Sequence, residues 1–328
     1  MKQQKIKVAI AGYGNLGKGV EKSIKNNKDM ELVCIFTRRD PTKLKSATNV
    51  AIINEQDAEQ WKNKIDIVFL CGGSAKDLPV QGPKYATIFN TIDSFDTHAK
   101  ALEYSRKMEQ ATKNGDTIAM SSIGWDPGLF SGIRLMIQAV LPNAKIYTFW
   151  GKGVSQGHSD AIRKIEGVVD ARQYTIPIES AKRRILNKET PEFTVQQMHE
   201  RHCFVVAESE RNKEKIEETI KNMPDYFAGY NTVVNFISYE ELQKHHMSLP
   251  HGGSVIGVAD TSQGIRQLIE FRLDLDSNPE FTGAILVAYG RAAYRMWKNG
   301  ERGYKNFSDV PPKYLLEKNY YEIISQIL

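Results

Sequence analysis

Residues 7–17, KVAIAGYGNLG, determine the fold of the amino-terminal part of the chain. After Lys7 the first residues are all apolar, which is typical of a buried strand. Gly12, Gly14 and Gly17 then follow with the spacing G-x-G-x-x-G. In this spacing the glycines allow a tight turn, close approach of a pyrophosphate and close packing of a helix on the strand. We therefore predict a dinucleotide site at the turn, formed by Gly12, Tyr13, Gly14, Asn15, Leu16 and Gly17.

Downstream of this turn, short apolar runs alternate with amphipathic segments. Leu16, Val20 and Ile24 recur at helical spacing, so a helix should follow the turn. Further strands are predicted over residues 32–36, 65–70, 87–92 and 117–121, with a helix over 97–114 that stops at Gly115 and another opened by Pro127. This alternation predicts a parallel sheet with helices on its faces, a Rossmann domain.

The pattern changes after Pro142, where the predicted strands become longer and more alternating. They cover residues 145–150, 168–176, 203–207, 232–237 and 265–275, and a helix is expected over 281–298. Alternation of apolar and polar residues indicates an antiparallel sheet with one face in water. We predict an α/β protein: a Rossmann domain over residues 1–120, rejoined by about 300–328, and an α+β substrate-binding and dimerisation region over 121–300 with a mixed or antiparallel sheet.

The composition excludes several classes of partner. Of the 328 residues 41% are hydrophobic and 25% charged, which is ordinary for a globular protein. There is no apolar run of the length that crosses a membrane and no basic stripe with interleaved aromatic residues for nucleic acid, so neither partner is expected. Cys34, Cys71 and Cys203 lie far apart in apolar stretches, which indicates buried thiols, a reducing cytoplasmic compartment and no metal site.

Two further loops bear on the cofactor. An acidic residue after the second strand would bind the ribose of NAD, but this chain has Thr37, Arg38 and Arg39 there. Guanidinium groups at that position favour the 2′-phosphate of NADP. The alternative is that Arg38 and Arg39 are exposed loop residues without a role in cofactor binding. The turn formed by Cys71, Gly72, Gly73 and Ser74 follows another predicted strand, and it is either a second cofactor contact or a plain tight turn.

Two carboxylates follow predicted Rossmann strands and are candidates for catalysis. Asp93 ends one strand, and Asp126 follows the next within Gly-Trp-Asp-Pro. A pair of carboxylates would hold a cationic amine and could accept its proton. Asp126 could instead cap the helix opened by Pro127, and Asp93 could be an ordinary turn residue.

The motifs GYGNLG, IFTRR, SSIGWDPG, FWGKGVSQGHSDA, RHCFVVA, MPDYFAGY, LPHGG and NPEFTG occur in an order and at spacings that resemble the meso-diaminopimelate D-dehydrogenase family. The resemblance covers about residues 6–300. It implies reversible oxidative deamination at the D-centre of meso-2,6-diaminopimelate, with NADP, to L-2-amino-6-oxopimelate and ammonia. It also implies a homodimer and a role in lysine and cell-wall precursor synthesis in the cytoplasm.

The resemblance also implies roles for individual residues. Asp93 and Asp126 would hold the reacting D-amino group, beside Trp125 and Trp150. The remaining substrate-binding positions would be Gln156, Gly157 and His158 at the centre, Thr175, Arg201 and His251 at the carboxylate of the D-centre, and Asn278 at the distal L-centre. Arg201 and the neighbouring His202 could instead be a simple surface pair.

Two alternatives remain open from the sequence. One is a different NADP-dependent amino-acid, semialdehyde or sugar dehydrogenase of related architecture. The other is a non-enzymatic sensor that binds NADP and a partner protein. Such a sensor would not need the set of Asp93, Asp126, Arg201 and His251.

Overall fold

The computed structural model describes residues 5–327, except for the side chain of Tyr320. The strands are β1 Ile6–Ala11, β2 Met30–Thr37, β3 Ala51–Asn54, β4 Ile67–Leu70, β5 Thr91–Asp93, β6 Ile118–Met120, β7 Lys145–Trp150, β8 Gly153–Val154, β9 Val168–Pro177, β10 His199–Ala207, β11 Asn231–Phe236, β12 His251–Ser262, β13 Ile265–Leu275 and β14 Gly303–Lys305.

The α-helices are α1 Asn15–Lys25, α2 Leu78–Ala86, α3 Ala101–Gly115, α4 Leu129–Val140, α5 Gln156–Ile162, α6 Glu179–Leu186, α7 Val195–Met198, α8 Lys213–Lys221, α9 Tyr239–His245, α10 Asn278–Lys298 and α11 Tyr320–Ile327. Short 3₁₀ segments cover Pro41–Lys43, Glu55–Lys64, His98–Lys100, Glu210–Asn212, Phe307–Asp309 and Pro312–Tyr314. Within residues 5–327, no helix has both the length and the apolar composition that crossing a membrane requires.

The chain forms two compact units. The first comprises the residues up to Gly132 together with those from Pro279 onward, and the second is Ile133–Asn278. The sequence places these boundaries near residues 120 and 300 instead. The difference at the second boundary comes from α10, which packs backbone to backbone on α1: a Cβ atom on Gly19 would lie 2.4 Å from the Pro279 carbonyl oxygen, and one on Gly283 would lie 2.6 Å from the carbonyl carbon of Gly19.

The first unit contains one seven-stranded sheet in the order β14-β6-β5-β4-β1-β2-β3, in which every pairing is parallel. The order 3-2-1-4-5-6 is that of the Rossmann fold, here extended by β14. Both faces are covered: Val8 and Ile10 pack in the core on the side of α1 and α10, and Ala9 and Ala11 in the core on the side of α2 and α3. The predicted Rossmann fold is therefore confirmed.

The second unit contains two smaller sheets. One is mixed, in the order β11-β10-β9-β8, with β10 and β11 parallel and the other pairs antiparallel. The other is an antiparallel sheet of β13, β12 and β7. The expected α+β character is confirmed. In β13 the predicted alternation holds from Ile269 to Leu275, while Ile265 is 54% exposed.

Three predicted boundaries are wrong. The strand expected over residues 87–92 is only β5, because α2 continues to Ala86 and Thr87 caps its carboxyl end. Gly115 belongs to α3 and does not end it, and Asp116 takes the left-handed conformation that ends the helix. Gly115 is required for another reason, since a Cβ atom there would lie 2.6 Å from the Thr87 carbonyl oxygen. Pro127 does not open a helix: α4 begins at Leu129.

Four strands lie where the sequence analysis predicts none. β3, β8 and β14 have two to four residues, too few to show a period. β12 has twelve residues, but it begins with His251, Gly252 and Gly253. Both glycines let neighbouring strands approach closely: a Cβ atom would lie 2.4 Å from the Leu273 carbonyl oxygen at Gly252, and 2.3 Å from the Phe149 carbonyl oxygen at Gly253. The glycine pair begins β12, the central strand of the three-stranded sheet.

Arg291 of α10 joins three segments of the first unit, so its loss should destabilise the fold. Its guanidinium is 3% exposed and donates to both Asp29 carboxylate oxygens (2.5 and 2.8 Å), to Asn27 Oδ1 (2.6 Å) and to the Leu315 carbonyl oxygen (2.8 Å). Arg291→Gln should lower the free energy of unfolding by about 3 kcal/mol, because the partly buried Asp29 carboxylate loses its charged partner.

The matched control is Lys22→Gln, which removes one positive charge from an exposed pair between α1 and Glu280 of α10. It should change the free energy of unfolding by less than about 0.5 kcal/mol. Urea denaturation followed by circular dichroism measures both variants, and equal effects would contradict the assigned role of Arg291.

Candidate active site

The glycine turn between β1 and α1 has the geometry of a phosphate-binding loop. Gly12 has a φ of 98°, and its N–H donates to the Phe36 carbonyl oxygen at 2.9 Å. A Cβ atom on Gly17 would lie 2.2 Å from the Gly12 carbonyl oxygen, whereas one on Gly14 would meet no atom within 4 Å. Gly14 is the N-cap of α1 and has no side chain to cover the first N–H groups. The turn therefore fits the pyrophosphate of a dinucleotide.

A buried carboxylate that the sequence analysis does not identify holds this turn in place. Glu21 of α1 is 1% exposed and accepts hydrogen bonds from the hydroxyl groups of Tyr13, Ser46 and Thr48 and from the N–H of Thr48. Burial alone would raise the pKa of Glu21, but these hydrogen bonds outweigh it and the pKa is lowered. Glu21 therefore ties the turn residue Tyr13 to the segment that precedes β3. A glutamate on an amphipathic helix reads as solvent-exposed, so no sequence signal marks it.

The two arginines after β2 lie beside the turn. Arg39 donates through Nη2 to the Tyr13 carbonyl oxygen, and its N–H donates to Thr37 Oγ1 at 3.1 Å. Arg38 forms an ion pair with Asp77 (Nη2 to Oδ1, 2.8 Å). Both arginines are exposed, but these contacts hold them next to the predicted phosphate site. The residues present fit the 2′-phosphate of NADP, because guanidinium groups form charge-assisted hydrogen bonds with phosphate.

The turn after β4 adjoins the glycine turn. The N–H of Cys71 donates to the Ala11 carbonyl oxygen at 2.8 Å, and a Cβ atom on Gly12 would lie 3.1 Å from the Cys71 carbonyl carbon. Asp77 accepts from the Gly73 N–H at 2.8 Å, so the same carboxylate contacts Arg38 and this turn. Ser74 Oγ accepts from the Asp96 N–H at 2.8 Å. The four residues 71–74 thus connect the glycine turn with the segment after β5.

The carboxylates at the ends of β5 and β6 differ in exposure. Asp93 is fully buried and accepts from Tyr104 Oη, Ser121 Oγ and the Phe95 N–H, each at 2.9 Å. Burial, opposed by these hydrogen bonds, raises the pKa of Asp93 to about 6. Three residues further on, Asp96 is exposed. Asp93 therefore has no open face toward a substrate, and the carboxylate of this segment that a substrate can reach is Asp96.

The motif that contains Asp126 forms a compact turn after β6. Trp125 is 7% exposed and packs edge-on against Phe130, with 5.3 Å between ring centroids. Asp126 is partly exposed, and Gly128 has a φ of 122°. Because α4 begins two residues after Pro127, Asp126 is not the residue next to the first turn of that helix. The turn keeps the Trp125 ring inside and leaves Asp126 partly exposed.

In the second unit, Arg201 is a buried cation and not part of a surface pair. It is 8% exposed, donates through Nη1 to Thr175 Oγ1 across the β9–β10 pair, and lies 4.2 Å above the Tyr230 ring. Its Nε has no partner among the described residues. His202 points the other way, toward Glu200 at 3.2 Å. A buried guanidinium with a free donor and a neighbouring hydroxyl is suited to a carboxylate ligand.

Glycines bring further predicted residues next to Thr175. A Cβ atom on Gly151 would lie 2.1 Å from the Thr175 carbonyl oxygen, and one on Gly153 would lie 2.4 Å from Cγ of His251. Gly153 also pairs with Thr175 in the sheet. Since Trp150 immediately precedes Gly151, residues 150–153 connect the aromatic ring, the Thr175–Arg201 pair and His251. The predicted residues Thr175, Arg201 and His251 therefore lie around the carboxyl end of β7, which is Trp150.

His158 and Gln156 lie on α5, at whose N-cap Ser155 Oγ is 2.7 Å from His158 Nδ1. Burial, with a smaller contribution from the Arg201 charge, lowers the pKa of His158 to about 4. Gln156 is exposed, and a Cβ atom on Gly157 would meet nothing within 4 Å. Asn278 begins α10, and its N–H donates to the Leu249 carbonyl oxygen at 2.9 Å, two residues before His251.

A residue that sequence reasoning missed supports Trp150. The fully buried His199 accepts from the Trp150 N–H at 2.8 Å through Nε2 and stacks on its indole, with 5.2 Å between centroids. Burial lowers the pKa of His199 to about 4, so the imidazole is neutral and can accept this bond. Among the described residues, no group of three or more His, Cys, Asp or Glu side chains could hold a metal ion.

The parallel sheet, the glycine turn and the adjacent arginines define a Rossmann-type, dinucleotide-binding protein. The chain is 51% identical to the meso-diaminopimelate D-dehydrogenase of Ureibacillus thermosphaericus, over 99% of each chain. It is 42% identical to that of Corynebacterium glutamicum, over 98% of each. The chain therefore belongs to the meso-diaminopimelate D-dehydrogenase family.

Profile and structure comparisons agree. The family described as the diaminopimelic acid dehydrogenase C-terminal domain matches residues 124–277. The structure of the C. glutamicum diaminopimelate dehydrogenase in complex with diaminopimelate superimposes with a TM-score of 0.93 at 42% identity, covering 99% of this chain and 100% of that one. An engineered D-amino acid dehydrogenase bound to NADP⁺ has a TM-score of 0.89 at 40% identity, with the same coverage.

The position of Arg38 and Arg39 predicts selectivity for the phosphorylated cofactor. Each lost guanidinium should cost about 1.5–3 kcal/mol of binding free energy, the usual value of a hydrogen bond to a charged group. We expect Arg38→Ala with Arg39→Ala to raise the NADP dissociation constant by about 100-fold or more and the NAD constant by less than about threefold. Isothermal titration calorimetry measures both, with Arg106→Ala on the exposed face of α3 as the control. Equal losses for the two cofactors would contradict a 2′-phosphate role.

Proposed function

We propose that the protein catalyses the reversible oxidative deamination of meso-2,6-diaminopimelate at its D-centre, with NADP and water, to L-2-amino-6-oxopimelate, ammonia and NADPH. The observation that carries the proposal is the buried Arg201, whose Nε lacks a partner among the described residues and which lies beside Thr175. A substrate carboxylate matches this arrangement. The chain is 42–51% identical, over nearly its full length, to meso-diaminopimelate D-dehydrogenases, and this similarity supports the substrate class.

The chain has residue types for both charges of an amino acid. We assign the carboxylate of the D-centre to Thr175, Arg201 and His251. His251 Nδ1 lies 2.8 Å from the Gly252 amide nitrogen and 3.1 Å from the Gly252 carbonyl oxygen. The reacting ammonium is assigned to Asp126 and, in place of the buried Asp93, to Asp96. Trp125, Trp150, Gln156, Gly157, His158 and Asn278 are proposed to contact the remainder of the substrate.

The cofactor is proposed to bind along residues 12–17, 37–39 and 71–74. When bound, NADP supplies the acceptor for the hydride that leaves the D-carbon. The residues of the chain then have three tasks. The Asp96 and Asp126 carboxylates hold the ammonium and take up the proton that leaves nitrogen, Arg201 fixes the orientation of the carbon through its carboxylate, and Trp150 packs against the substrate. Oxidation of the C–N bond gives an imine, and water adds to its carbon as ammonia departs.

From the family resemblance we also infer a homodimer, a cytoplasmic location and a role in lysine and cell-wall precursor synthesis. The three cysteines are all free, and Cys34 and Cys203 are fully buried, which suits a reducing compartment. Light scattering after size-exclusion chromatography distinguishes one copy from two.

The proposed reaction is tested by NADPH formation at 340 nm with the meso, L,L and D,D isomers of diaminopimelate. Oxidation of the meso isomer with NADP, and little with NAD, is the expected result. The L,L isomer has no D-centre and should be inactive. If NADP binds tightly but none of the three isomers is oxidised, the cofactor site would stand and the proposed substrate would be wrong. The substrate would then be another compound, such as a different amino acid or a semialdehyde.

Asp126 should be needed for turnover and not for cofactor binding. Asp126→Ala is expected to lower kcat for the meso isomer by about 100-fold or more, the usual contribution of a positioned acid–base group. The NADPH dissociation constant, measured by fluorescence, should change by less than about twofold. Glu59→Ala, which removes an exposed carboxylate from the same unit, is the control. A near-normal kcat in Asp126→Ala would refute the role.

A further inference from the structure

Asp93 is the most completely buried carboxyl group of the first unit, and its partners come from two separate loops and from α3. One oxygen, Oδ1, accepts from the Phe95 N–H at 2.9 Å and the Ser122 N–H at 3.4 Å. The other, Oδ2, accepts from Tyr104 Oη and Ser121 Oγ, both at 2.9 Å. The Asp93 carbonyl oxygen also accepts the Ile123 N–H at 2.9 Å. One residue thus connects the segment after β5 with the segment after β6.

These two segments carry the accessible carboxylates assigned to the substrate ammonium. Asp96 follows Phe95 directly, and Asp126 lies three residues after Ile123. Ser122 has a φ of 59°, a conformation that a non-glycine residue seldom adopts unless its surroundings hold it. The Ser122 N–H bond to Asp93 is one of the contacts that hold it. Small errors in the position of a catalytic group cost large factors in rate, so the support of these segments is a functional matter.

We propose that Asp93 is a positioning residue: its ionised carboxylate, through the Phe95, Ser121 and Ser122 hydrogen bonds, aligns Asp96 and Asp126 for the reaction, and its protonation loosens both segments. The inference rests on the proposed function for its effect on turnover. The structural part, the tethering of two segments by one carboxylate, does not depend on the substrate.

The ionised form is the one that matches its surroundings. Four donors face the two carboxylate oxygens, so a proton on Oδ2 would require the Tyr104 or Ser121 hydroxyl to reorient and accept, whereas the N–H groups at Oδ1 can only donate. The titratable groups that face Asp93 are Cys71 after β4, Tyr104 of α3 and Tyr304 of β14, and the pKa of each is raised by burial and, to a smaller extent, by the Asp93 charge. None of these three groups is a cation. Since the pKa of Asp93 is about 6, the change of state falls within the range of a kinetic pH profile.

The first test compares kcat for meso-diaminopimelate across pH 5–9 in the wild type, Asp93→Asn and Tyr104→Phe. Asp93→Asn keeps the shape of the side chain and should lower kcat by about tenfold or more while NADPH affinity changes by less than about twofold. The fall in kcat on the acidic side, expected near pH 6 in the wild type, should be absent. Tyr104→Phe removes a hydrogen bond that lowers the Asp93 pKa, so that fall should move to higher pH.

Thr91→Val is the matched control. Thr91 lies on the same strand, is fully buried, and its Oγ1 has no partner among the described residues. Its substitution should leave kcat and the pH profile unchanged. Wild-type kcat in Asp93→Asn, or an acidic fall that stays in place in both network variants, would overturn the inference.

Amide hydrogen exchange tests the tether without turnover. Residues 94–97 and 121–126 should exchange about tenfold faster or more in Asp93→Asn than in the wild type or Thr91→Val at pH 7, because two carboxylate–N–H bonds are weakened. Equal exchange in all three proteins would overturn the tether. A wild type that leaves meso-diaminopimelate unoxidised would sink the proposed reaction, and the exchange comparison would still decide the role of Asp93.

Discussion

The first unit depends on one close contact, that between α1 and the turn that precedes it. Gly17 lies so near the Gly12 carbonyl oxygen that any side chain would separate helix and strand. This approach keeps the amino end of α1 beside the carboxyl edge of the sheet. The Tyr13 carbonyl that binds Arg39 and the Cys71 turn that touches Gly12 both lie at that edge. The cofactor residues therefore come together as a consequence of helix packing.

Buried charge is handled differently in the two units. In the first, Glu21 and Asp93 are carboxylates surrounded by hydroxyl and N–H donors, and the buried Arg291 cation is paired with Asp29. In the second, the buried charge is the Arg201 cation, and the histidines near it, His158 and His199, are neutral because burial lowers their pKa to about 4. A single desolvated cation with neutral neighbours attracts an anionic ligand more strongly than the same group in water would.

The sequence was sufficient for features that depend on local pattern. The glycine spacing after β1 and the succession of apolar and amphipathic segments predicted the parallel sheet, and the alternation in β13 predicted an antiparallel one. Features that depend on tertiary packing were not accessible. Asp93 and Asp96 lie three residues apart at the end of β5. Their burial distinguishes them, since Asp93 is fully buried and Asp96 is exposed, and burial cannot be deduced from the local sequence. The start of β12 was not predicted as a strand, because its glycines serve contacts with strands remote in sequence. His199 and Glu21 had no motif at all.

The first unit is discontinuous along the chain, and this has a consequence for the order in which the protein is made. The sheet strands β1 to β6 leave the ribosome early, but β14 and α10, which complete the sheet edge and cover one of its faces, are synthesised only after the whole of Ile133–Asn278. Until then the apolar face that α10 covers, including Val8 and Ile10, lacks its final layer. Part of the apolar core of the cofactor domain therefore stays uncovered in the nascent chain while the inserted unit is translated.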